Sequence, residues 1–229
     1  MSAKLACTIA LVAGTLMAGS ATAATLIDNT TLGYYNDGIG TDLDGTNPFG
    51  ATFMFPAADV AGGDPVLDFG TGDEPDLSTA ATALGSWLTN PAAPGGSWSA
   101  TTMAIPTSWA INDETAIIYE IDGGAAGIDN VSASFGVDNG VFVWLNGTFL
   151  GGHLRPGGST LGEFMLSLGS LGAGMNYLQV LREDHGGASG YSVLVTGDVN
   201  MAPVPLPATG LLLIGGLALF AGQRRKRQG

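Results

Sequence analysis

The chain predicts an all-β sandwich held between two terminal export segments. Glycine is abundant, with 37 residues among 229, and charged residues make up only 12%. Long amphipathic helical patterns are absent, while short β-branched and aromatic runs recur between Gly, Asn and Asp turns. Strands at that spacing pack as two sheets around one core.

Residues 1–23 have the layout of a secretory signal peptide. Lys4 precedes an apolar, helix-forming stretch from Leu5 to Ala18, and Ala21-Thr22-Ala23 supplies small residues for cleavage after Ala23. An uncleaved anchor is the alternative, for which the apolar stretch is short. The only cysteine, Cys7, lies in this segment without a lipidation signal around it, so the mature chain would carry no thiol. An exported body without disulfides depends on a large core or on bound metal. Residues 24–201 are ample for one such domain and few for two.

All 20 acidic residues fall between Asp28 and Asp198, where Arg155 and Arg182 are the only basic ones. That imbalance repels phosphates and argues against nucleic acid as a partner. Solubility or cation binding fits it better.

Strands follow in order. Leu26-Ile27, Thr52 to Phe55, Val66 to Phe69 and Ser97 to Ile105 are short candidates among long polar loops. Thr115 to Ile121 is rich in β-branched and aromatic residues and stops at Asp122-Gly123-Gly124. Val131 to Val137 alternates apolar and small residues. Val141 to Leu145 runs into Asn146-Gly147, a favoured type I′ turn, and Thr148 to Leu150 returns as its partner. Phe164 to Leu168 and Asn176 to Leu181 flank the turn Gly169 to Gly174, and Tyr191 to Val199 closes the set.

The segment from Phe135 through Asp138-Asn139-Gly140 to Leu145-Asn146-Gly147 resembles the strand-turn pattern of galactose-binding-like jelly-roll domains. The stretch Gly174 to Val180, the Gly-rich loop Gly186 to Gly190 and the strand from Tyr191 resemble the closing hairpin of the same domains. The resemblance implies a jelly-roll β-sandwich over the second half of residues 24–201. Many such domains bind carbohydrate and others are purely structural, so fold alone does not choose.

Residues 202–229 change character. Pro203, Pro205 and Pro207 stop the preceding strand, an apolar run can enter a bilayer as a helix, and Arg224, Arg225, Lys226 and Arg227 stay cytoplasmic. Leu206 to Gly222 is at the short limit for a transmembrane helix and contains four glycines. Val204-Pro205-Leu206-Pro207-Ala208, the apolar run and the basic end together resemble the VPLPA variant of the PEP-CTERM sorting signals of Gram-negative bacteria. That resemblance implies a transient inner-membrane anchor, processing by an exosortase-type protease after the general export machinery, and release to the cell surface or a polysaccharide-rich extracellular matrix. It names a transport route and no activity. A plain single-span anchor is the alternative.

No catalytic constellation is visible. His153 and His185 sit in Gly-rich stretches and are expected to be solvated, and there is no Gly-x-Ser-x-Gly elbow, Cys-x-x-Cys, His-Glu-x-x-His or phosphate loop. The chain reads as non-enzymatic, with a secreted hydrolase the trailing alternative, because 20 acids offer many accidental carboxylate pairs.

Structural calcium is the expected cofactor, because hard oxygen donors cluster in two loops. Asp42, Asp44 and Asn47 are spaced like the start of an EF-hand, but position 12 is Phe53, so a complete EF-hand is refuted. Asp68, Asp73, Glu74 and Asp76 form the second group. Solvated acidic loops are the alternative for each. For carbohydrate, Trp87, Trp98, Trp109, Tyr34 and Tyr35 offer stacking faces, and His153, Arg155, Arg182, Asp184 and His185 offer hydrogen bonds. Against this, tryptophans are commonly core, Trp144 faces either way by alternation, and the two arginines have many acids to pair with.

Overall fold

The computed structural model describes residues 22–201. The signal helix with Ala21, the motif Val204 to Ala208 and the basic end Arg224 to Arg227 lie outside the described residues. Among the described residues no helix is long and apolar enough to cross a membrane.

The body is an all-β sandwich of twelve strands: β1 (Thr22–Ile27), β2 (Leu32–Gly40), β3 (Thr46–Phe49), β4 (Thr52–Phe55), β5 (Leu67–Phe69), β6 (Met103–Ala104), β7 (Glu114–Asp122), β8 (Ile128–Leu145), β9 (Thr148–Arg155), β10 (Phe164–Leu171), β11 (Met175–Glu183) and β12 (Gly190–Val199). One short helix, α1 (Ala81–Leu84), lies in the loop region before β6. The first sheet runs β1-β12-β8-β10, and the second runs β6-β2-β7-β11-β8-β9-β5, so β8 belongs to both. Ile128 to Asp138 pair with β12, and Gly140 to Leu145 pair with β11.

Register shows that β8 doubles back at Asp138-Asn139. Ile128 lies opposite Val199, and Asn146, just past the other end of β8, donates to the Asn176 side chain. Asn176 sits at the turn where Gly123 and Gly174 bond to each other's neighbourhood, the same end from which β8 set out. The expected turn before Val141 is therefore a corner between sheets, with two antiparallel arms.

Two further expectations are corrected. Phe164 to Leu171 and Met175 to Glu183 are not hairpin partners, because β10 pairs with β8 in one sheet and β11 pairs with β7 and β8 in the other. Likewise β11 and β12 do not form a closing hairpin, since the Gly-rich loop between them crosses from one sheet to the other. The hairpin at Asn146-Gly147 is formed as expected: Leu145 faces Thr148, and both turn residues have positive φ, 50° and 78°.

Alternation places the side chains. Ile117, Tyr119 and Ile121 of β7, Val141 and Val143 of β8, and Leu178 and Val180 of β11 point between the sheets, where Phe135, Tyr191 and Val193 meet them. Ala116, Ile118, Phe142, Trp144 and Leu181 point to the opposite face of the second sheet. That face is covered by residues from 39–87, including Ile39, Leu43, Phe55, Leu84 and Trp87. The second sheet is thus buried on both faces, which explains why β7 and the second arm of β8 read as nearly continuous apolar runs. Trp144 faces the covering layer, fully buried, with Nε1 donating 2.8 Å to Glu74 Oε1.

Both chain exits lie at one pole. Thr22 pairs with Val199 and Ala24 with Gly197 at the edge of the first sheet. β1 starts two residues ahead of the expected cleavage point, so a cut after Ala23 leaves Ala24 in the ladder. The corner at Asp138 lies at the other pole, ten extended residues from Ile128, about 33 Å away.

Candidate functional site

The pole opposite the chain exits gathers buried polar residues. Glu114 opens β7 and Glu183 ends β11, each one step beyond a residue that faces the inter-sheet core, Thr115 and Arg182. Alternation therefore turns both glutamates outward, beneath the loop that follows β2. Leu43, fully buried, anchors that loop, and the next residue, Asp44, lays its carboxyl against that of Glu114. Gly140 leaves room for Glu183: a Cβ there would come within 2.6 Å of Glu183 Oε2.

The glutamates are fully buried, and neither oxygen of Glu114 meets a donor. Burial first, then the charges of Asp44 and Glu183, push the Glu114 carboxyl up to about 10, so it is protonated at neutral pH. Burial also pushes Glu183 up to about 7, against the opposing pull of His185. His185 Nδ1 lies 2.5 Å from Glu183 Oε1 and Nε2 lies 3.3 Å from Asp64 Oδ1. Burial alone would lower the imidazole, and contact with Glu183 and Asp64 more than offsets this, leaving it raised. Asn139 Oδ1 accepts from the His185 backbone N–H at 3.2 Å, and Asp184 Oδ2 accepts from the Asn112 N–H at 2.7 Å.

Arg182 points the other way, into the inter-sheet core. Its guanidinium carbon lies 4.1 Å from the Trp109 ring centroid, 4.8 Å from Tyr191 and 5.5 Å from Tyr35. Nε donates to Thr115 Oγ1 at 3.0 Å and Nη1 to the Pro106 carbonyl at 2.8 Å. Among the described residues it forms no ion pair, so the expected pairing with an acid is replaced by an aromatic box. Arg155, half-buried, likewise has no ion pair among the described residues.

The two expected calcium loops dissolve into separate roles. Asp42 is exposed, Asp44 turns inward to Glu114, and Asn47 turns sideways, accepting 2.6 Å from the Asp76 N–H and donating 3.0 Å to its carbonyl. Leu43 between Asp42 and Asp44 is fully buried. Asp73 accepts from the Gly70 N–H, Asp76 accepts from the Ser78 N–H, and Asp68 contacts His153 Nδ1 at 2.5 Å. Asp68, Asp73 and Asp76 thus each serve a turn or partner of their own. Among the described residues no three His, Cys, Asp or Glu side chains form a ready metal cage.

The expected stacking faces are also consumed by packing. Trp87 is 2% exposed, stacked 5.9 Å from Trp98 and meeting Trp144 edge-on at 5.2 Å. Half-buried Trp98 donates from Nε1 to the Leu84 carbonyl, and half-buried Trp109 covers Arg182. Tyr35 is buried. Neither histidine is solvated: His153 lies within β9, buried and stacked 5.2 Å from Phe164, and His185 is fully buried. Both exceptions arise because a carboxylate beside each ring satisfies Nδ1 inside the protein. An open pocket of about 310 Å³ lies beside α1, lined by Asp76, Leu77, Ser86, Trp87 and Leu88 among others.

Glu114 and Asp64 were not among the residues that sequence patterns singled out. A glutamate directly heading a buried β-branched run was the available signal for Glu114, since an acid in that position must end the strand in water or be buried with a partner. Asp64 carried no such signal.

No family model matches the chain, and no curated protein matches it. Among solved structures, an anti-sigma factor domain-containing protein aligns at 12% identity with a TM-score of 0.34, over 78% of this chain and 50% of that one. The PA14 domain of the MpAFP antifreeze protein aligns at 13% identity with a TM-score of 0.30, over 80% of this chain and 87% of that one. The chain therefore spans half the length of the first. Both scores are too low to bear on function.

Proposed function

We propose that this chain is an exported, non-enzymatic cell-surface or extracellular-matrix protein of a Gram-negative bacterium, with a galactose-binding-like jelly-roll body stabilised by calcium. One observation supports it above the others: β1 and the end of β12 lie side by side, Thr22 against Val199. The segments read as a signal peptide and as a VPLPA-type sorting tail thus leave from one pole, and the body can stand away from the inner membrane while an exosortase-type protease reaches the tail. Burial of Trp87, Tyr35 and both histidines favours a structural, acidic body over a sugar-stacking one.

The test is processing and location in a bacterium that encodes the sorting system. The expected product begins at Ala24, lacks the basic end and is recovered from the surface or matrix fraction. Intact chain retained in the cytoplasm overturns the reading.

A second reading, carbohydrate recognition, is favoured by the pocket beside Trp87, where Asp76 and Ser86 supply polar groups next to apolar Leu77 and Leu88. Saturable binding on a glycan array, lost in Leu88→Asp, supports it. Absence of binding to extracellular polysaccharides leaves the structural body alone.

A further inference from the structure

We propose that Asp44, Glu114 and Glu183 form a buried site for one divalent cation of the calcium class, at the pole away from the chain exits. The inference rests on the export reading above only for its supply of calcium, which is abundant outside cells.

Three elements deliver the oxygens: the loop after β2, the first residue of β7 and the last residue of β11. Four carboxylate oxygens in the set are buried and meet no donor, namely Asp44 Oδ1, both of Glu114 and Glu183 Oε2. Two carboxyls in contact present acceptors to each other, and an unpaired buried carboxylate is costly, so something positive must lie between them. The facing groups do not supply it. Asp113 stands beside Asp44, Asp184 and Asp138 follow from the neighbouring strand ends, and Asp59 and Asp64 come from the loop before β5. His185 is the one basic side chain among these groups, and it is engaged by Glu183 and Asp64; Arg182 points to the opposite face of the sheet.

A single proton closes the Asp44–Glu114 contact but leaves Glu183 Oε2 and the second Glu114 oxygen without donors. A calcium ion uses all of them, because it accepts bidentate carboxylates and completes its shell with main-chain oxygens and water. Among the described residues no three such side chains stand as a ready cage, so binding has to draw these carboxylates together around the ion. Gly140 keeps the space at Glu183 open, as a side chain there would collide with the carboxylate.

The experiment is calcium binding by the full-length protein in mild detergent, by titration calorimetry in two buffers of different ionisation enthalpy. We expect a calcium site that releases protons on binding, and that weakens at least about tenfold in Glu114→Gln through loss of ligand charge. Asp44→Asn is the second variant, needed if Glu114→Gln does not fold, and should weaken the same site. Asp73→Asn, in an exposed loop, should leave it unchanged. No binding at millimolar calcium overturns the proposal and assigns the contact to a proton alone. Binding unaffected by Glu114→Gln or Asp44→Asn overturns it too and places the ion elsewhere. Neither result touches the export reading, which falls only if the chain is neither processed nor exported.

Discussion

Arg182 stands over Trp109 at 4.1 Å, a cation held in the core by aromatic faces instead of by one of the chain's many carboxylates. The arrangement follows from alternation on β11: Arg182 shares the inward face with Leu178 and Val180, where Tyr35 and Tyr191 complete the box. Burial lowers its pKa, yet two hydrogen bonds and three rings keep the guanidinium satisfied on most sides.

Arg182→Ala is expected to destabilise the fold by on the order of 3 kcal/mol, through the void and the lost ring contacts. Arg182→Met should recover part of that loss by refilling volume while leaving Thr115 and Pro106 unpaired. Urea denaturation followed by tryptophan fluorescence checks both. Equal stability of wild type and Arg182→Ala would show that the box contributes nothing.

Stability in the presence of chelator should fall as pH rises. Glu114 is held up to about 10 in the fold against 4.5 in the free state, so its contribution is complete below pH 4.5 and is lost as pH climbs towards 10. The folded state binds the extra proton across that window, giving a slope of at most about 1.4 kcal/mol per pH unit for this one group. Denaturation midpoints at pH 6 and pH 9 should separate in wild type and draw together in Glu114→Gln. A pH slope identical in the two proteins contradicts the assignment.

The hairpin joining β8 and β9 should not tolerate a side chain at its second turn residue. Gly147 has φ of 78°, and a Cβ there would meet the Leu88 carbonyl oxygen at 2.2 Å, a backbone atom with little freedom to yield. Gly147→Ala is expected to cost about 2 kcal/mol or more from strain and displacement. Gly45→Ala, also at positive φ but with open space around it, should cost only about 1 kcal/mol. Thermal melts of the two variants compare them, and a Gly147→Ala melt equal to that of Gly45→Ala sinks the steric argument.

Trp144→Phe should keep the packing against Trp87 and Phe149 while removing the Nε1 bond to Glu74. The expected loss is about 1–2 kcal/mol, since one hydrogen bond is removed and the exposed Glu74 can turn to water. Glu74→Gln in the Trp144→Phe background should then add little, a double-mutant cycle that reads the bond directly. A large added loss would place the role of Glu74 elsewhere.

Much of the sandwich was legible in local pattern. Thr115 to Ile121 announced itself by its β-branched content, and Asn146-Gly147 fixed a hairpin register because only positive φ residues fit that turn. β2 was missed, because Leu32-Gly33-Tyr34-Tyr35-Asn36-Asp37-Gly38 carries the Gly, Asn and Asp that signal turns. It is a strand here because β7 pairs with it and because Asn36 donates to the Ala83 carbonyl from inside the fold. The surroundings of Asp42 and Asp44 were not legible either: alternate spacing does not say that Asp42 ends exposed while Asp44 ends half-buried in a run of turns.

By itself the sequence determined the all-β class, most strands after residue 114, the tight β8–β9 turn, the acidic excess of residues 24–201 and the expectation of export signals at both ends, since each is written in neighbouring residues. Only the tertiary structure decided that β8 bends over to serve two sheets, that Arg182 and both histidines are buried, and that Glu114 and Glu183 are buried at the same pole. Those outcomes depend on pairings between strands far apart in the chain, where burial on the second face of a sheet and the register of β11 set which side chains share a space.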